Sequence, residues 1–135
     1  MTTSNLLSFF LPLEPKPAPR PRTRVIALPG RKPIATVYNP KDYQTWQKEA
    51  ADLLKRIEAV SFSGPVTVDL VFDVQRPKST KLAAPKPDLD NYVKSILDCI
   101  TKDGRFWADD TQVVELSAIK RWADRPGIHI TLSEE

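Results

Sequence analysis

Hydrophobic and polar residues alternate most cleanly over residues 66–74, where Val66, Val68, Leu70, Phe72 and Val74 share one parity and Thr67, Asp69 and Asp73 the other. A period of two places the first set on one face of a β-strand, and that face needs a helix or a sheet to cover it. Elsewhere the spacing turns helical. Tyr43, Trp46, Ala50, Leu53, Leu54 and Ile57 recur at three or four positions, behind Asn39 as the expected N-cap and Pro40 as the first helical residue. Leu89, Tyr92, Val93, Ile96, Leu97 and Ile100 form a second stripe, which Gly104 ends. Both stripes, Trp46 included, are expected to be core. Asn5–Leu11 reads as a first strand and Ile34–Tyr38 as a short second one. Residues 113–122 and 128–132 read as two final strands, joined as an antiparallel hairpin by a turn through Asp124, Arg125, Pro126 and Gly127. The prolines over residues 12–21 predict an extended, polyproline-like arm that carries arginines. Strands at both ends and helices between them predict an α+β fold: one domain over residues 1–135, a mixed β-sheet with two α-helices packed on one face.

Composition narrows the class. A chain of 135 residues, 41% of them hydrophobic, can bury one core and is too short for two ordinary domains. Cys99 is the single cysteine and His129 the single histidine, so neither an internal disulfide nor the usual zinc set is available. Cys99 is expected as a small packed side chain and His129 as a solvent-facing strand residue. The apolar run over residues 6–13 is broken by Ser8 and Pro12 and is far too short for a membrane span. These features predict a cytoplasmic protein in a reducing compartment. The net charge of +3 is unevenly distributed: residues 14–32 hold six bases against one acid, and residues 75–87 hold four bases and no acid. Two basic segments on a slightly acidic body suit a polyanionic partner such as DNA, because lysine and arginine contacts to phosphates release counterions. The candidate contacts are Lys16, Arg20, Arg22 and Arg24 in the first segment and Arg76, Lys78, Lys81 and Lys86 in the second.

Candidate chemistry concentrates at the start of the second helix. Asp88 falls at or just before its first turn, and Asp90 and Lys94, four apart, are neighbours on its polar side. Hard oxygen donors of this kind suit Mg²⁺ or Mn²⁺. The same residues also admit a plainer reading, with Asp88 as an N-cap, Asp90 as a helix-dipole acid, and Asp90 and Lys94 as a surface pair. A second acidic element, Asp109 and Asp110, leads into the next strand, whose edge is expected to bring one carboxylate back to the helix start. Carboxylates gathered beside a phosphodiester repel it unless a divalent cation lies between them.

The sequence DLDNYVK at residues 88–94, followed by WADDTQVV at residues 107–114, resembles the signature of RusA-type Holliday junction resolvases, and the KPAPRPR run at residues 16–22 resembles the arm near that family's N-terminus. The resemblance implies a small homodimeric α+β nuclease, often encoded by phages or prophages. It implies an enzyme that uses Mg²⁺, or Mn²⁺ in its place, and nicks two opposed strands of a four-way DNA junction symmetrically, leaving 5′-phosphate and 3′-hydroxyl ends. No small-molecule cofactor and no membrane are implied. Carried over by position, the catalytic set is Asp88, Asp90, Lys94 and Asp110, with Asp109 the competing metal ligand. Asn91 and Gln112 then take supporting positions, and Asp98 and Asp103 are expected to be structural or solvated. A non-catalytic branched-DNA-binding module, or a metal-dependent nuclease for other DNA structures, would use the same basic segments.

Overall fold

The computed structural model describes residues 5–20 and 22–134, without the side chains of Arg22, Thr36 and Val37. Pro21 lies outside the described residues. Elements follow the order β1 (Asn5–Leu11), β2 (Arg22–Ile26), β3 (Ile34–Tyr38), α1 (Lys41–Lys55), β4 (Val66–Gln75), α2 (Leu89–Asp103), a 3₁₀ turn (Asp110–Gln112), β5 (Val113–Ala123) and β6 (Gly127–Glu134).

Strand β4 organises the core. Its alternating residues Val66, Val68, Leu70, Phe72 and Val74 are all buried, and the buried helix stripes join them in one cluster: Tyr43, Trp46, Ala50 and Leu54 from α1, and Tyr92, Val93, Ile96 and Ile100 from α2. The Phe72 and Tyr92 rings stack at 5.3 Å, which fixes α2 on that face. The other face of the sheet stays open and polar. There Ser8 meets Thr131 at 2.9 Å, and the buried Asp73 accepts from Arg121 Nε at 2.6 Å and lies 2.8 Å from His129 Nε2. His129 is therefore solvent-facing, as expected, but partnered. The α+β expectation holds, with both helix stripes packed against the same apolar face.

Strand order is β1-β6-β4-β5. This corrects the expected hairpin: β5 and β6 do not pair, and β4 lies between them, parallel to β5 and antiparallel to β6. The reason is the crossover. The α2 connection returns the chain to the same end of β4 and makes β5 its parallel neighbour. The other flank of β4 is taken by β6, whose Ile128, Ile130 and Leu132 extend the same buried face opposite Phe72, Leu70 and Val68. Residues 124–126 cross the end of β4, a span of about 10 Å for two strand spacings, from Ala123 opposite Gln75 to Gly127 opposite Asp73.

Two local expectations shift. Pro40, with extended backbone, is itself the N-cap of α1, and the Asn39 carbonyl instead accepts from the Gln44 side chain at 2.7 Å. The arm is extended through residue 20, but from Arg22 the chain forms β2, which pairs with β3 in a separate two-stranded ribbon. Gly30 turns near its tip with φ of 74°.

Candidate active site

The proline arm is fastened across α1 and α2. Trp46 Nε1 donates to the Glu14 carbonyl at 2.8 Å, Gln75 N donates to the Glu14 carboxylate at 3.3 Å, and Ala18 N donates to the Asn91 carbonyl at 2.9 Å. Leu13 and Ala18 are buried. Burial raises the Glu14 carboxyl above its ordinary value, against the lowering effect of the Gln75 amide. So held, residues 17–20 form one wall of a cleft of about 720 Å³, and Lys86, Pro87, Asp88, Asp90, Asn91 and Lys94 form the other.

The cleft wall is built by the first turn of α2. Asp88 is the N-cap residue in extended conformation, and its carbonyl accepts from Asn91 N and Tyr92 N at 3.2 and 3.3 Å, but its carboxylate makes no capping bond. Asp90 and Lys94 are both exposed. Among the described residues, no ion pair joins them; the pairs formed are Lys16 with Asp42, Arg105 with Asp103, and Arg121 and His129 with Asp73. The plainer reading of cap and surface pair thus leaves both side chains unaccounted for. Arg20 and Lys86 bring further positive charge to the same cleft. The loop before the helix is tied to the far end of β5: Lys120 Nζ donates to the Pro87 carbonyl at 2.8 Å, Trp122 Nε1 to the Leu82 carbonyl at 2.9 Å. Arg76, Lys78 and Lys81 are exposed on this loop. Lys16 lies apart, paired with Asp42 at 3.1 Å, and Arg24 lies over the Tyr38 ring on the β2–β3 ribbon. The Arg22 side chain is outside the described residues.

Asp110 is elsewhere. The motif that carries it is anchored by Phe106 and Trp107, both buried, with Trp107 Nε1 donating to Thr101 Oγ1 at 2.8 Å near the C-terminal end of α2. Asp109 caps the 3₁₀ turn, accepting from Thr111 N at 3.3 Å. Gln112 closes the turn: its Oε1 accepts from Ala108 N at 2.9 Å, and its Nε2 donates to the Phe62 and Gly64 carbonyls at 2.9 and 3.1 Å. The Asp110 carboxyl is raised above its ordinary value, first by its hydrogen bond with Asp109, then by burial and by the charges of Asp109 and Asp98. Asp98, expected to be structural or solvated, is thus an electrostatic neighbour of Asp110. Eight residues separate it from Asp90, about 12 Å along the helix. The expected return of a carboxylate from the strand edge to the helix start does not occur within one chain. Among the described residues, no group of three or more acidic, histidine or cysteine side chains is gathered as a metal cage.

Sequence reasoning also missed the fastening groups. Asn91 acts here through its backbone carbonyl, which no side-chain pattern announces, and Lys120 is one base among many until the parallel strand places it. Asp103, expected to be structural, pairs with Arg105 at 2.7 Å, and that arginine caps α1 through the Leu54 and Ile57 carbonyls at 2.7 and 3.1 Å.

Comparison with known proteins agrees with the motif order. The chain is 31% identical over 86 residues to the uncharacterized protein YqaN of Bacillus subtilis (strain 168), an alignment that covers 53% of this chain and 59% of that protein. It thus spans less than two thirds of that relative's length. A family model described as endodeoxyribonuclease RusA matches residues 12–133, which takes in the arm, both motifs and every strand of the core except the first. The chain belongs to the RusA family of endodeoxyribonucleases, hydrolases that act on DNA.

Proposed function

We propose that this chain is a Mg²⁺-dependent endodeoxyribonuclease that resolves four-way DNA junctions by paired symmetric nicks, in DNA recombination and repair, and that it works as a homodimer. The observation that carries the reading is the cleft at the α2 N-terminus, where two carboxylates spent on neither a cap nor an ion pair stand among Arg20, Lys86 and Lys94. Family membership supplies the reaction class.

The donor chemistry fits the ion. Mg²⁺ takes one or two carboxylates and keeps several waters, and Asp88 and Asp90 offer two hard oxygen donors on an open, hydrated cleft. Bound there, it would supply Lewis acidity to the phosphodiester and its attacking water. Manganese would substitute on the same grounds. The chain's own groups do the rest. Arg20 and Lys86 hold the phosphate backbone, and the arm that carries Arg20 is kept in place by its bond to Asn91. Lys94 donates to a phosphate oxygen and stabilises the charge that builds there in the transition state. Without a cation, the two carboxylates repel the phosphodiester.

The test is a panel of synthetic four-way junction, flap and linear DNAs, each with and without Mg²⁺, with the cuts mapped. Opposed nicks confined to the junction and dependent on the ion are the expected result. Binding without cutting would make the chain a branched-DNA-binding module, and equal cutting of flaps would make it a different nuclease.

A further inference from the structure

The carboxylates assigned to the site lie at opposite ends of one strand. Asp110 directly precedes β5, while Asp88 adjoins Pro87, which is bonded to Lys120 near the other end of that strand. From Val113 to Lys120 is about 23 Å at the rise of an extended strand, too far for any rotamer change to close.

The strand between them is unusual. β5 is an edge of the four-stranded sheet, is 11 residues long, and exposes Val114, Leu116 and Ile119 at 68%, 46% and 52%. A long edge strand with apolar side chains on show is a template for pairing. Its two ends are also complementary. Asp109, Asp110 and Glu115 make the start acidic, and Lys120 and Arg121 make the end basic. Val114 and Leu116 at the start are matched at the end by Trp122 and by Leu82, itself 49% exposed. Antiparallel pairing of β5 with the same strand of a second copy, about a two-fold axis, sets start against end. Acid then faces base, and apolar faces apolar. A parallel arrangement would oppose like to like.

We propose that two copies of this chain pair through β5 and that each active site is shared, with Asp88, Asp90 and Lys94 from one subunit and Asp110 from the other. This rests on the nuclease reading above and extends it. One strand spacing of about 4.8 Å separates paired strands, so the two-fold operation carries each Asp110 to the Lys120 end of the other subunit, twice per dimer. Neither subunit holds a complete site.

Complementation tests the sharing. Asp90→Asn and Asp110→Asn chains should each be inactive alone. Unfolded together and refolded as a mixture, they should regain junction nicking, because a mixed dimer keeps one site with every carboxylate intact. With random pairing about one quarter of all sites are whole, and the activity should approach that share of wild type. A mixture no more active than its parents overturns the shared site. The pairing has its own readouts, which need neither metal nor cleavage. Leu116→Lys should sediment as a monomer where wild type is a dimer, and an unchanged dimer overturns the interface. Should that variant fail to fold, cysteines introduced singly as Ser117→Cys, Ala118→Cys and Ile119→Cys decide. At least one should give a disulfide-linked dimer on mild oxidation, and none doing so overturns β5 pairing. If wild type cuts no DNA while the cross-link forms, the nuclease reading fails and the interface stands.

Discussion

At the scale of single residues, what matters is which carboxylates are already committed. Asp109 is occupied as the cap of its turn and Asp103 by Arg105, while Asp88 and Asp90 face the cleft. Asp90→Asn should therefore keep fold and junction binding yet lose cleavage by about 100-fold or more, since the amide keeps the shape and drops the charge. Cleavage rates within a few-fold of wild type would take Asp90 out of the site. Asp110→Asn should cost far more activity than Asp109→Asn, which should act through stability by loosening the turn; equal losses in cleavage with equal melting temperatures would reject the distinction. Asp73 gives a pH test. Burial, the largest single influence, pushes its carboxyl up, but the hydrogen bonds and charges of Arg121 and His129 outweigh it, and the net shift is downward. A lowered folded value means stability that is present above the ordinary carboxylate range and lost as pH falls through the folded value. Asp73→Asn should thus melt earlier near neutral pH, by about 1–2 kcal/mol given its half-exposed partners, and the gap to wild type should close in acid. A gap that stays constant down to pH 2 would mean that the charge contributes nothing. Residue chemistry was legible where a motif names it, as at Asp88, Asp90 and Lys94. Asp98 was not, because its relation to Asp110 depends on where Trp107 packs.

Among elements, the periodic ones were legible and the pairings were not. The β4 alternation and both helix stripes emerge as buried faces because burial itself imposes the period. The strand order does not follow from period. Residues 124–126 suit a hairpin turn locally, yet the α2 crossover has already placed β5 on one side of β4, and β6 buries more apolar surface on the other. β2 was hidden for a different reason: RTRVI pairs only with β3, in a ribbon outside the core, so no buried face patterns it. The 3₁₀ turn shows how one side chain can position an element. Gln112 satisfies the Ala108 amide and two carbonyls of the 62–64 segment. Gln112→Ala should cost about 1–3 kcal/mol, the penalty for leaving partly buried groups unpaired, and should reduce cleavage by displacing Asp110. Urea denaturation beside junction cleavage checks both, and an unchanged midpoint would show that water replaces the amide without loss.

The whole molecule sets the symmetry of the reaction. Two strands must be nicked to resolve a junction, and one chain presents one cleft with the Asp88 and Asp90 pair, so two chains about a two-fold axis meet the need with the fewest parts. A dimer also doubles the basic surface. Arg20 and Lys86 at each cleft, with Arg76, Lys78 and Lys81 on the adjoining loops, would neutralise many phosphates, so junction affinity should fall steeply as salt rises, with a flatter slope for Lys86→Ala. The nicks themselves report the number of sites. In a dimer of one wild-type and one Asp90→Asn subunit, one Asp88 and Asp90 pair is whole and the other is not, whether or not Asp110 comes from across the interface. Such dimers, isolated by differential tags, should nick one strand of a junction and leave the opposed strand mostly intact for the lifetime of the complex. Concerted cutting of both strands at the wild-type rate would mean that a single site serves both, and a monomer at cleaving concentrations would remove the two-fold axis on which the paired cut depends.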